Sequence, residues 1–186
     1  ALWSNSFAQG TSSQNNSLNN CIRCHDAKGY INFTEGQVTN TTGMKRSMHV
    51  SITCQTCHDP HGSTNDYNLR NSPSTSDTLA NGYAYTLGGN GKVCMDCHKN
   101  RRDAALTVNT NVSNSHWGPH HSVQVDNFLG QNAAMFGTTP YLTNSHQYAI
   151  TDACVTCHMT LLPDTSVTNA NKVGGHTFRL KNSDTG

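Results

Sequence analysis

Cysteine occurs in this chain in one pattern only. The eight cysteines of its 186 residues are Cys21, Cys24, Cys54, Cys57, Cys94, Cys97, Cys154 and Cys157, and they fall into four Cys-x-x-Cys pairs. A histidine follows each pair: His25, His58, His98 and His158 complete "CIRCH", "CQTCH", "CMDCH" and "CVTCH". At this composition chance supplies roughly 0.02 such motifs in a chain of this length. Whatever the chain folds into must therefore accommodate four copies of one local chemistry.

That chemistry is covalent haem attachment. Two thiols held about one helical turn apart can each add to one vinyl group of a single porphyrin, and the next residue then lies beneath the ring, where its imidazole can bind iron. The reading gives four covalently attached haem c groups, with His25, His58, His98 and His158 as proximal iron ligands. Four disulfides would use the cysteines but give no reason for a histidine after each pair. Zinc held by four cysteines leaves the same histidines unexplained.

Composition agrees. Hydrophobic residues make up 34% of the chain and charged residues 12%, both low for a globular domain. Ordering a backbone costs roughly 1–2 kcal/mol per residue, and few apolar side chains are present to offset it. Four flat apolar porphyrins, each tied on at three points, would make up the deficit as a structural metal does in a small domain. The expected fold is mostly irregular, with short α-helices, little β and haems forming the core. Net charge is +1, which gives no electrostatic case for nucleic acid. No apolar run is long enough to span a membrane. Ala1 suits a mature end left after removal of an export signal, and thioether formation takes place outside the cytoplasm.

Six-coordinate iron needs a second axial ligand. Seven histidines remain: His49, His61, His116, His120, His121, His146 and His176. On a helical turn His61 would share a face with His58, so as a ligand it would serve a neighbouring haem; the plainer alternative is that it closes the turn Asp59-Pro60-His61-Gly62. His49 and His146 are tethered shortly before the second and fourth motifs. His176 lies in "GGHTF", where two glycines permit close backbone approach. In "HWGPHH", Gly118 and Pro119 argue against a continuous helix, and His116 and His120 rank ahead of His121 as ligands. Met44, Met48, Met95, Met135 and Met159 are rival ligands, but with histidine in surplus, bis-histidine coordination and low potentials are expected.

The motifs start at 21, 54, 94 and 154, so their spacing is not that of a uniform solenoid. No linker stands out, and a single domain over 1–186 is expected. Residues 63–92 read as loop, with a short strand pair around "GYAYTL". Residues 100–115 read as a helical extension of the third motif that then loses its periodicity. Lys99, Arg101 and Arg102 are placed to pair with haem propionates or to form a solvated basic cluster.

The order of these features resembles the OmcE-type tetrahaem extracellular cytochromes, which polymerise into filaments. The matching stretches are the four motifs, "CHDPHG", "HWGPHHSVQVDNFLG", "SHQYAITDACVTCHM" and "GGHTF", spanning about residues 21–178. The resemblance implies a close row of bis-histidine haems and a helical homopolymer in which one subunit's histidine can ligate a haem of the next. It further implies redox partner proteins or extracellular acceptors, and a location outside the cell or on its surface. A soluble periplasmic tetrahaem shuttle has the same wiring. A reductase with one open haem is a third reading, which the surplus of histidines disfavours.

Overall fold

The computed structural model describes residues 22–37, 48–70, 77–110, 123–135, 137–138, 143–160 and 172–181. The elements are short. The helices are α1 (Ala27–Thr34), α2 (Cys54–Cys57), α3 (Lys92–Met95), α4 (Ala104–Thr110), α5 (Gln124–Leu129), α6 (His146–Ala149) and α7 (Cys154–His158), and residues 22–25 are also helical. Sheet among the described residues is a single hairpin, β1 (Asp77–Thr78) and β2 (Ala84–Tyr85). The expected fold class, mostly irregular with short helices and little β, is what is found. No helix among the described residues is long and apolar enough to cross a membrane. The chain divides into two compact units, Ala1–Asn71 and Ser72–Gly186.

In the first unit, Asp26 organises the chain around the first motif. It is the N-cap of α1 and accepts from the Gly29 backbone N–H at 2.9 Å. Its other oxygen accepts from the Val50 N–H at 2.9 Å. The Ala27 N–H donates to the Val50 carbonyl at 2.9 Å. These bonds join α1 to the segment leading into the second motif. Ile22, Ala27 and Tyr30 are buried beside Asp26. Gly29 allows this packing, because a Cβ there would overlap the Ile22 carbonyl group and sit 2.8 Å from its carbon. Arg23 covers the Phe33 ring at 4.4 Å, a cation–π contact.

After α2 the chain folds back on the second motif. The Asp59 N–H donates to the Asn68 carbonyl (2.7 Å) and the Arg70 N–H to the Cys57 carbonyl (2.9 Å). The Arg70 side chain reaches the Gln55 carbonyl (2.7 Å) and the Asp59 carboxylate (3.0 Å). The loop is thereby pinned to the motif it follows.

The second unit has a small core of Leu79, Tyr85, Met95, Val125, Leu129 and Ala153. The hairpin register pairs Asp77 with Tyr85 and Thr78 with Ala84. The strand expected in "GYAYTL" exists, but its partner lies upstream of that stretch. Asn81 and Gly82 make the turn: the Asn81 side-chain oxygen accepts from the Tyr83 N–H at 3.1 Å, and Gly82 has φ +86. A glycine at a left-handed position is typical of such short hairpin loops. Residues 96–103 are turn, so α4 is separate from the third motif and does not extend it. The turn is held from α5. Buried Asp126 accepts from the Asn100 N–H (2.8 Å) and the Asn132 amide (2.7 Å), while Asn132 accepts from the Ala104 N–H (2.9 Å).

Lys99 is buried, with its ammonium on the Asp77 carboxylate and 3.3 Å from the Thr78 carbonyl. It is neither a solvated charge nor placed outward for a propionate. The Tyr85 hydroxyl donates to the same carboxylate at 2.9 Å. Burial by itself raises the Asp77 carboxyl, but the hydrogen bond and charge of Lys99, with smaller help from Thr78 and Tyr85, outweigh it and leave it lowered. A carboxylate depressed on folding stabilises above its unfolded value, and this contribution disappears as pH falls through the lowered folded value. The second unit should therefore lose stability as pH falls below the ordinary carboxylate value of 3.8 and on through the lowered folded value, and Asp77→Asn should flatten that part of a Tm-against-pH curve. An identical curve for the variant would mean that another carboxylate carries the acid sensitivity.

Candidate haem-attachment sites

Short helices position the motifs. Cys24 and His25 end the helical stretch 22–25, Cys54 and Cys57 bound α2, and Cys154, Cys157 and His158 lie on α7. Cys94 is on α3, with Cys97 and His98 in the turn after it. Cys21 lies outside the described residues, as do His116, His120 and His121. One turn of helix is what the Cys-x-x-Cys spacing needs to bring two thiols to one side.

The imidazoles stand at the surface of the polypeptide. His25, His61, His98, His146, His158 and His176 are exposed, while His49 and His58 are half-buried. Large apolar side chains are exposed beside them. Met48, Val50 and Ile52 lead into the second motif, Tyr148 follows His146, and Phe178 and Leu180 follow His176. Among the described residues, no three His, Cys, Asp or Glu side chains converge as an ion site would require. Separate imidazoles beside uncovered apolar surface fit a flat apolar group that brings its own metal.

Hydrogen bonds at Nδ1 add to that fit. The His58 Nδ1–H donates to the Tyr67 carbonyl at 2.8 Å, and the His158 Nδ1–H donates to the Phe178 carbonyl at 2.9 Å. A carbonyl only accepts, so the proton sits on Nδ1 and the lone pair on Nε2. His49 has the same arrangement, with Nδ1 3.0 Å from the buried Asp26 carboxylate. So does His146, whose Nδ1 is 2.8 Å from the Asn144 side-chain oxygen. The amide of Asn144 is oriented by its own donation to the Asn127 carbonyl at 2.9 Å. Iron-binding histidines are typically held in this way, with the second nitrogen donating and the ligating one made more basic. Two histidines of the motifs and two candidate distal ligands thus share one tautomer.

His61 follows the plainer alternative in its backbone. The Asp59 side chain accepts from the His61 and Gly62 N–H groups at 3.4 and 3.0 Å, which closes an Asx-type turn. His176 lies in a 3₁₀ turn, Gly175–Thr177, with its ring 6.1 Å from that of Phe178. Since the Phe178 carbonyl holds His158, one short segment touches both histidines. At Gly174 the close approach is to the polypeptide, because a Cβ there would run into the Thr160 carbonyl.

The third and fourth motifs are neighbours within their unit. Asn90 donates through its N–H to the Asp152 carboxylate at 2.9 Å. A Cβ on Gly91 would overlap the Asp152 carbonyl and lie 2.8 Å from the Cys154 nitrogen. The hydrogen bond from Cys94 is the main reason the Cys154 thiol is lowered to about 7; a backbone hydrogen bond and His158 add to it, and burial opposes it. Burial, and then Cys54, raises the Cys57 thiol, with Arg70 opposing.

Residues 49–78 match the family model for the doubled CXXCH motif. This points to a haem-binding electron-transfer cytochrome of the multihaem c type, with haem c covalently bound. The matched stretch begins at His49 and contains one of the four motifs, "CQTCH". No curated protein and no solved structure matches the chain.

The sequence reading did not single out Asp26, Asn144, Tyr67 or Phe178. Asn144 was within reach, being two residues before His146. Asp26 had a weaker signal, as an N-cap residue directly after His25. Tyr67 and Phe178 act through their backbones and gave none.

Proposed function

We propose that the chain is an electron conduit carrying four c-type haems, each iron held between two imidazoles, and that it polymerises into an extracellular filament. The supporting observation is the Nδ1 hydrogen bonding shared by His58, His158, His49 and His146, which presents Nε2 on proximal and distal candidates alike. Bound haem supplies a one-electron ferric–ferrous couple. The chain's own residues then have three tasks. The cysteines fix where each porphyrin sits, the histidines cap it, and the carbonyl, carboxylate and amide acceptors set how basic those histidines are. Iron capped on both sides offers no position for a substrate, which is the basis for reading the protein as a carrier and not an enzyme. The filament and its place outside the cell rest on the ordered resemblance of the motifs, on thioether attachment outside the cytoplasm and on a net charge of +1, which gives copies little reason to repel.

Intact mass of the native protein should exceed that of the polypeptide by four haems. The reduced protein should bind no carbon monoxide, and negative-stain microscopy should find filaments. Discrete particles under all native conditions would leave the periplasmic shuttle in place of the filament. Tight carbon monoxide binding would favour the reductase. A mass equal to the bare 20.2 kDa chain would end the haem reading altogether.

His176→Ala should turn one haem high-spin while the covalent haem count stays the same. An unchanged low-spin spectrum would remove His176 from the ligand set.

A further inference from the structure

Tyr67 and Phe178 share a conformation that aromatic residues rarely adopt. Tyr67 lies inside the 3₁₀ turn Asp66–Asn68 with φ 56 and ψ 18, and Phe178 caps the turn Gly175–Thr177 with φ 56 and ψ 14. This is the left-handed region, where Cβ crowds the following carbonyl and glycine or asparagine is the usual occupant. Both rings are exposed, Tyr67 by 74% and Phe178 by 50%, so burial of the side chain does not compensate. Yet at both places the same atom does the same thing: the carbonyl oxygen accepts from Nδ1 of the histidine that completes a Cys-x-x-Cys-His motif, His58 in one case and His158 in the other. The two sites lie in different compact units of the chain, and the acceptors follow their histidines by 9 and 20 residues. Neither common spacing nor shared packing accounts for the coincidence. Unfavourable backbone angles persist where the surrounding structure over-determines them, and they cluster at functional sites.

We infer that Tyr67 and Phe178 are positioning residues that set the potentials of two haems through their backbones. The left-handed turn aims each carbonyl at a proximal imidazole. The hydrogen bond gives that imidazole more anionic character, which favours ferric over ferrous iron and lowers the potential. This inference rests on the proposal that haems are attached at the second and fourth motifs.

Two substitutions at each position separate backbone from ring. Glycine keeps the left-handed angles and deletes the ring. Valine, branched at Cβ, disfavours those angles and withdraws the carbonyl. In the native holoprotein, Tyr67→Val should move one step of the potentiometric curve upward and shift one low-spin EPR signal, with haem content by mass unchanged. Tyr67→Gly should do neither. Phe178→Val and Phe178→Gly should repeat the contrast on a different step, and they decide the matter if Tyr67→Val does not mature. Equal shifts in the glycine and valine variants would assign the effect to the ring and overturn the inference, as would no shift in either. Absence of covalent haem from the unsubstituted protein would instead overturn the functional reading on which the inference rests.

Discussion

Asp26→Ala should destabilise the first unit by about 2–3 kcal/mol, the sum of a lost N-cap and one buried and one part-buried N–H donor left unmet, and should turn one haem high-spin. One buried carboxylate serves three groups. It accepts from the Gly29 N–H, the Val50 N–H and the His49 ring. Alanine strands the first two and releases the third, so that His49 is no longer held in the tautomer that presents Nε2. Chemical denaturation followed by far-UV circular dichroism measures the first effect, and the high-spin absorption band measures the second. Asp26→Asn should fall between, because one side-chain oxygen is kept and the other becomes a donor facing donors. A variant as stable as the parent and spectrally identical to it would show that Asp26 neither caps α1 nor orients His49 in solution.

Gly91→Ala should destabilise the second unit through a single added methyl. Gly91 has φ −73 and ψ −6, angles that alanine adopts readily, so the demand is for space and not for conformation. The added carbon would collide with the Asp152 carbonyl and sit 2.8 Å from the Cys154 nitrogen. Both are backbone atoms and cannot swing aside. Overpacking of this kind costs about 1–3 kcal/mol, occasionally more. The strain falls on the contact between the segments that enter the third and fourth motifs. Loss of thermal stability together with under-attachment of haem at Cys154 and Cys157, read by peptide mass, is the expected result. Full attachment and an unshifted Tm would mean that these segments do not pack as described.

The chemistry was legible because it is local. Cys54, Cys57 and His58 stand together in the chain, and thioether attachment needs nothing from elsewhere. The helices at α2 and α7 follow from the same spacing. The hairpin was half legible: Asn81 and Gly82 mark its turn, but Tyr85 pairs with Asp77, a residue that carries no strand signal. Lys99 misled, because a basic residue beside a motif histidine reads as surface until Asp77 and Tyr85 are brought to it. Of the two roles read for His61, its backbone fills the one in the Asp59 turn, and its ring stays exposed.

The sequence alone determined which residues carry the attachment chemistry and how many motifs there are. Only the tertiary structure decided how the histidines are held. The acceptors of His58, His158 and His49 lie 9, 20 and 23 residues away. Two of them are carbonyls, whose direction depends on backbone angles and not on side-chain identity. A thiol or an imidazole is written in the residue name. The direction of a carbonyl is set by where the chain returns and how tightly it turns, and an aromatic name at a left-handed position conceals it.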